Sequence, residues 1–208
     1  SLVRGKRYFG AKIIPNRGAW LEFETDADSA IYVKIDRKRK IAASALLKVF
    51  GMTAQADILS KLSDIDTGEV SFSKKTLEKD TTEDQNQAFV EMYKRIRPGD
   101  LATADNARSL IQAMFSSERY DLGEVGRYKF IQRLGVPAAV PVADVARARQ
   151  HGTAGTLPQR KATSVAVHGS STRVLSVNDI VAVLREIIRL NNIGTALADD
   201  IDHLGNRR

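Results

Sequence analysis

Residues 20–36 read WLEFETDADSAIYVKID, and this stretch decides the fold. Apolar and polar side chains alternate on both sides of a polar turn at residues 25–29, a pattern typical of a β-hairpin. Because successive side chains of a strand point to opposite faces, one face of the hairpin is predicted to be the core face. That face holds Leu21, Phe23, Ile31, Val33 and Ile35.

The other face of the hairpin predicts the register of its two strands. Only even-numbered residues pair with one another on that face. The register centred on the turn sets Glu22 opposite Lys34 and Trp20 opposite Asp36, and the opposed charges favour it. The single tryptophan of the chain is thus predicted to lie beside a carboxylate. Trp20 then either packs under a neighbouring loop or stacks on an unpaired base whose edge faces the carboxylate.

Four consecutive cations, Arg37, Lys38, Arg39 and Lys40, follow the hairpin. A solvated turn is the commoner role of such a run. Contact with phosphates is the alternative, and the formal net charge of +7 with a pI near 9.7 favours an acidic partner such as nucleic acid.

Helical spacing dominates the rest of the chain. Helices are predicted from Ile41 to Phe50, from a cap at Thr53 to Leu62, from Glu83 to Ile96, after a cap at Thr103, from Leu122 to Leu134 and after Ser176. Asp121 and Glu124 are spaced as a capping box for the fifth of these. Residues 63–83 are predicted to be loop with a brief extended piece near residues 70–72. The fold class is therefore α+β, with an antiparallel β-sheet and hairpins in the N-terminal part packed with several α-helices.

Composition limits the class of protein. With 208 residues, 43% of them hydrophobic, the chain is long enough for one compact domain spanning residues 1–208. Residues 136–175 are rich in Ala, Val, Pro, Gly, Thr and Ser, so they are predicted to be an insertion or surface extension, with a possible hairpin at residues 162–175. Zero cysteines fit a reducing compartment such as the cytoplasm. The start at Ser-Leu-Val suggests an excised fragment.

The last ten residues, DDIDHLGNRR at 199–208, have too few apolar side chains for a packed helix or strand. They are typical of a segment that binds a polar ligand. The acidic pair Asp199 and Asp200 could hold Mg²⁺, but the neighbouring Arg207 and Arg208 favour salt-bridged scaffolding. No metal site and no catalytic constellation is therefore predicted.

Five stretches together resemble the bacterial RNA polymerase β subunit. Residues 11–24, AKIIPNRGAWLEFE, resemble its ARIIPYRGSWLDFE, and residues 33–40, VKIDRKRK, resemble VRIDRRRK. Residues 93–100 resemble Y-R-x-x-R-P-G-E, residues 119–129 resemble RYDLxxVGRxK, and residues 199–208 match DDIDHLGNRR. All five occur in the family's order, whereas residues 136–175 match no family motif.

The resemblance implies the β lobe, a compact domain that forms part of one pincer of the polymerase. In the family this lobe lines the downstream DNA channel and contacts the non-template strand at the edge of the bubble. The polymerase as a whole is a nucleotidyltransferase, but its metal-binding carboxylates lie outside the matched region. The fragment is therefore expected to be catalytically inert by itself and to bind no cofactor, the Mg²⁺ of the polymerase being held elsewhere.

The resemblance also implies a DNA-binding site. A tryptophan of the family stacks on an unpaired base beside a pocket for guanine. The matching positions here are Trp20, Asp36, Ile201, Asp202 and Arg207, with the cations at residues 37–40 beside them. Expected partners are the non-template strand and downstream duplex DNA, the β′, α and ω subunits, and σ. The alternative function is a docking surface for transcription factors or σ, with residues 136–175 as the interaction element.

Overall fold

The predicted hairpin lies at the centre of a four-stranded antiparallel sheet. The computed structural model describes residues 2–3, 6–135 and 173–193. A short ribbon pairs β1 (Leu2–Val3) with β2 (Lys6–Arg7). The sheet itself consists of β3 (Ala11–Ile13), β4 (Leu21–Thr25), β5 (Ile31–Ile35) and β6 (Ile41–Ala42), hydrogen-bonded in that order.

The register of β4 and β5 is the predicted one. Leu21 pairs with Ile35, and Glu22 pairs with Lys34. The five side chains predicted for the core face are all buried. The ammonium of Lys34 bonds the carboxylate of Glu24 at 2.6 Å, while Glu22 faces Lys12 of β3 at 3.6 Å. The register of β4 and β5 is thus supported by the diagonal pair of Lys34 with Glu24, whereas Glu22 pairs with β3.

Seven helices pack against or beside the sheet within the described part of the chain. Their bounds are α1 (Ala43–Val49), α2 (Gln55–Leu62), α3 (Phe72–Glu78), α4 (Gln85–Ile96), α5 (Ala104–Met114), α6 (Gly123–Leu134) and α7 (Val177–Ile193). One core joins the inner face of the sheet to α1, α4 and α7, where Leu46, Phe89 and Ile187 are almost completely buried. The predicted α+β class is confirmed.

The prediction of loop for residues 63–83 is wrong, because α3 forms there. The Ser71 side chain caps the helix by accepting from the Lys74 N–H at 3.3 Å. Asp66 accepts from the backbone N–H groups of Phe72 and Ser73, at 3.0 and 2.9 Å. A carboxylate five residues before the cap therefore satisfies N–H groups at the start of α3, and buried Phe72 packs the helix against the core. The cap of α2 also differs, since Ala54 precedes it rather than Thr53.

The start of α6 has a different cap from the predicted box. Asp121 accepts from the Gly123 N–H at 2.7 Å, but its own N–H donates to Arg17 rather than to Glu124. Gly123 has a φ of +73°, a conformation that glycine adopts without steric cost. Gly126 needs no such freedom, because a Cβ added there would meet only Leu122 at 3.8 Å.

Two ion pairs are buried within the part of the chain that the structure describes. Lys48 of α1 bonds Asp80 at 2.9 Å, with side-chain exposures of 0% and 2%. Arg127 of α6 makes a two-pronged contact with Asp179 of α7, at 2.7 and 3.1 Å. Ser176 and Asp179 cap the start of this last helix reciprocally, with the Ser176 N–H donating to the Asp179 carboxylate at 2.8 Å and the Asp179 N–H donating to Ser176 Oγ at 3.3 Å. Each ion pair therefore ties separate elements together.

Arg173, Val174 and Leu175 are the described residues at the end of the predicted extension. They do not form the strand predicted there, and Leu175 is buried. The Arg173 carbonyl accepts from the Leu122 N–H at 2.9 Å. The rest of the predicted extension, residues 136–172, lies outside the described residues. Among the helices described, none is long and apolar enough to cross a membrane.

Candidate nucleic-acid interface

Trp20 and Asp36 lie side by side at the end of the β4–β5 hairpin. The Asp36 N–H donates to the Trp20 carbonyl at 3.0 Å, and Asp36 Oδ1 accepts from the Trp20 N–H at 2.7 Å. The second bond is made by a side chain where an ordinary ladder would use a carbonyl. The backbone of the tryptophan is thus held from both sides by one residue.

A tight turn follows Asp36. The Lys38 N–H donates to the Ile35 carbonyl at 2.9 Å, and the two residues between them have positive φ, 48° for Asp36 and 59° for Arg37. Positive φ at both central positions defines a type I′ turn, which suits the twist of a hairpin. Such turns favour Asn or Asp followed by Gly, so Asp36 is a usual choice at the first central position and Arg37 is an unusual one at the second.

Arg37 covers part of the tryptophan. Its guanidinium carbon lies 5.1 Å from the centroid of the Trp20 ring, within the range of a cation–π contact. Trp20 itself is half-buried, whereas Asp36 and Arg37 are exposed. Indole, carboxylate and guanidinium therefore form one small surface cluster.

The other three cations of the run differ from one another. Lys40 bonds Asp26 at 2.9 Å and lies 4.3 Å from the Tyr32 ring. Its hydrogen bond to Asp26 raises the pKa of Lys40 and lowers the pKa of Asp26. Lys38 and Arg39 are exposed and have no ion-pair partner among the residues that the structure describes. Lys38 and Arg39 are thus the cations most open to an external anion.

The C-terminal part of the predicted site lies outside the described residues. Ile201, Asp202 and Arg207 all belong to residues 194–208, so the structure brings only Trp20, Asp36 and the cations together. Among the residues described, no group of His, Cys, Asp and Glu could hold a metal ion.

Sequence reasoning missed the support beneath this cluster. Arg17 and Asp121 form a β-bridge, with N–H to carbonyl distances of 3.0 and 2.8 Å. A Cβ added to Gly18 would lie 2.8 Å from the Tyr120 ring, so only glycine permits this approach. Burial raises the pKa of the Tyr120 hydroxyl well above its usual range, and the charge of Asp36 adds to the effect. No pattern in either stretch signals that the two would meet.

A second unforeseen contact fixes the end of α7. Asn191 accepts from the Phe9 N–H at 3.0 Å and donates to the Phe9 carbonyl at 3.3 Å. Thr25, at the far end of β4 from Trp20, donates to the same carbonyl at 2.7 Å. The C-terminal end of α7 is therefore held beside the sheet.

The fold and the motif contacts define a class of protein. The family model described as RNA polymerase Rpb2, domain 2, matches residues 5–143, and the chain belongs to this family. The match includes four of the five motifs recognised in the sequence. The resemblance to the RNA polymerase β subunit is thereby confirmed.

Two relatives show which polymerase subunit the chain is similar to. The chain is 38% identical over 206 residues to the DNA-directed RNA polymerase subunit beta of Synechocystis sp.. It is 40% identical over 207 residues to the subunit of the same name from Dehalococcoides mccartyi. Each alignment covers 98% of this chain but only 15% and 14% of the relative. The similarity is therefore to one part of a much longer subunit.

Proposed function

We propose that this chain is the non-catalytic lobe domain of a bacterial RNA polymerase β subunit and serves DNA-directed transcription. In this role it lines the downstream DNA channel and contacts single-stranded non-template DNA. Its partners are that DNA, the β′, α and ω subunits, and σ. The chemistry of nucleotide addition and its Mg²⁺ belong to other parts of the enzyme, so the domain itself contributes binding alone.

The arrangement of Trp20 with its neighbours carries the proposal. Single-stranded nucleic acids are bound by aromatic rings that stack on bases and by cations that follow the phosphates. Trp20 offers a partly exposed ring, and two hydrogen bonds with Asp36 hold its backbone. Exposed Lys38 and Arg39 lie on the turn beside it, free of ion pairs within the described part of the chain. Ring and cations are thus placed for the same strand.

The C-terminal segment can reach this place. Asn191 fixes the end of α7 near Thr25, and Trp20 is five residues away along β4, which corresponds to about 17 Å. The eight residues from Ile193 to Ile201 can span roughly 26 Å when extended. Asp202 and Arg207 would then complete a guanine pocket, with carboxylate oxygens accepting from guanine N–H groups and the guanidinium donating to O6 or N7.

Fluorescence of the single tryptophan tests the proposal directly. A short single-stranded oligodeoxynucleotide should quench Trp20 emission, and the same oligonucleotide with abasic positions should bind more weakly. Stacking on an aromatic side chain contributes roughly 1–3 kcal/mol per base, so Trp20→Ala should weaken binding about 5- to 150-fold, measured by fluorescence anisotropy of a labelled oligonucleotide because this variant has no tryptophan. Tyr128→Ala removes another exposed aromatic side chain and should leave affinity unchanged.

The whole polymerase provides the second test. Trp20→Ala in the complete enzyme should abolish preference for a base at the first unpaired downstream position and shorten the lifetime of open complexes. Unchanged base preference together with unchanged open-complex lifetime would reject a role of Trp20 in strand contact.

The second candidate function, docking of σ or a transcription factor, has one observation in its favour. Val125 and Tyr128 lie one turn apart on α6 with 69% and 58% of their surface exposed. Helix α6 leads directly into residues 136–172, the core of the predicted extension. Because Arg173 contacts Leu122 at the start of α6, a linker from the end of α6 to Arg173 must span roughly the 18 Å length of that helix. Replacing residues 136–172 by a Gly/Ser linker of this length tests the docking function. An unchanged σ affinity of the core enzyme would exclude σ as the partner.

A further inference from the structure

Arg37 has a defined relation to the single tryptophan. It occupies the second central position of the type I′ turn, with a φ of 59°. The hydrogen bonds of Asp36 hold this turn beside the Trp20 backbone. The guanidinium carbon of Arg37 lies over the indole, 5.1 Å from the ring centroid.

The conformation of Arg37 is unusual for its residue type. Left-handed backbone is unfavourable for residues other than Gly, Asn and Asp, because Cβ approaches the following carbonyl oxygen. A glycine at this position would relieve the crowding but would place no side chain on the indole. The contact with Trp20 is the one interaction of the Arg37 side chain that the structure shows, and it has no carboxylate partner among the described residues.

We propose that Arg37 is a positioning residue that covers one face of the Trp20 indole and makes the tryptophan a one-sided stacking platform for a nucleobase. The inference rests on the proposed binding of single-stranded DNA. One face of the ring is occupied by the guanidinium, so a base stacks on the other face. The uncompensated charge of the guanidinium then lies close to the phosphate of the stacked nucleotide.

The cover over the indole is tested without DNA. Acrylamide is a neutral quencher of tryptophan emission, and Trp20 is the only tryptophan in the chain. Arg37→Ala should raise the acrylamide quenching constant of the free protein. Lys38→Ala removes the same charge from the neighbouring position and should leave the constant unchanged. An equal constant in wild type and Arg37→Ala would overturn the inference, whatever happens with DNA.

The positioning role is tested with two oligodeoxynucleotides at one fixed salt concentration. One is intact and the other carries abasic positions, and the ratio of their affinities reports the contribution of base stacking. A cation–π contact at an exposed site predicts a roughly two- to fivefold fall of this ratio in Arg37→Ala. Lys38→Ala should weaken both affinities equally and leave the ratio unchanged. A ratio in Arg37→Ala that equals or exceeds the wild-type ratio would overturn the inference.

Arg37→Gly guards against a folding artefact. Glycine adopts the positive φ of this position without strain, so this variant should unfold at or above the wild-type temperature while lacking the guanidinium. It should repeat both results of Arg37→Ala. If wild type itself does not distinguish the intact from the abasic oligonucleotide, the proposed function fails, and the acrylamide result still shows whether Arg37 covers the ring.

Discussion

Removal of the Asp80 carboxylate should destabilise the domain more than any surface substitution. Asp80 is buried, and its two oxygens accept four hydrogen bonds, from Ser44 Oγ, Lys48 Nζ, Thr82 Oγ1 and the Thr82 N–H. The Lys48 side chain has 0% exposure and also donates to the Thr82 carbonyl. In Asp80→Asn the ammonium of Lys48 remains in the interior without a counter-charge.

The expected cost follows from this burial. Breaking a buried ion pair by removal of one partner costs about 3–5 kcal/mol, because the remaining charge is uncompensated. For a chain of this length 1 kcal/mol corresponds to roughly 2–4 °C, so the unfolding temperature should fall by about 6–20 °C. Glu24→Gln breaks the exposed pair with Lys34 and should cost less than about 1 kcal/mol.

A double-mutant cycle separates the charge effect from loss of packing. Lys48→Met combined with Asp80→Asn removes both charges, and urea unfolding should show the double variant about 1–3 kcal/mol more stable than the two single changes predict by addition. Additive effects would refute the argument that an unpaired buried charge causes the loss.

The contribution of the Lys48–Asp80 pair to the free energy of unfolding should depend on pH. Burial by itself would raise the pKa of Asp80, but hydrogen bonds from Ser44, Thr82 and Lys48 outweigh it and hold the pKa below the usual value. A carboxyl with a lowered folded-state pKa contributes stability above its unfolded pKa of about 3.9 and loses it as the pH falls through the folded value. The stability difference between wild type and Asp80→Asn should therefore be constant near neutral pH and shrink below about pH 4.

Four further changes test the scaffold around the site. Gly126→Ala should stabilise α6 by about 1 kcal/mol in urea unfolding, whereas Gly123→Ala should destabilise because its φ is +73°. Asn191→Ala should cost about 1–3 kcal/mol and accelerate hydrogen exchange of the Phe9 amide, and unchanged exchange would exclude the contact. Arg127→Met should lower the unfolding temperature but leave DNA affinity unchanged, because its side chain is only 3% exposed; weakened DNA binding with unchanged stability would contradict a structural role.

Strand register was predictable because parity is a strong constraint. Side chains alternate with a period of two, so a slip by one residue would expose the whole apolar face between Leu21 and Ile35. Helices α4, α5 and α7 were equally predictable from the sequence, since their apolar spacing and their capping residues indicate the same helix. In these segments local preference and tertiary packing point to the same structure.

Prediction failed where an element lacks the usual sequence signals. Helix α3 has only seven residues, and two of its three buried side chains, Ser73 and Thr76, are polar, so no apolar helical spacing marks it. The type I′ turn is similar, because Arg37 stands at the second central position, where glycine would signal such a turn. The cation run was visible in the sequence, but Arg37 on Trp20 and Lys40 on Asp26 were not.

The motifs that identify the family consist largely of residues that hold the fold together, so a match in them indicates structure before it indicates a binding role. The backbone of Arg17 pairs with Asp121, Asp121 holds Arg173, and Arg127 is buried against Asp179. These contacts set the end of the sheet and α7, so they fix where a binding site can form without touching a ligand. A matching motif is therefore evidence first for where in the fold a binding site can form. Evidence for a role in binding must come from exposed side chains within that frame, and among the described residues Trp20 with its neighbouring turn offers an aromatic ring together with exposed cations.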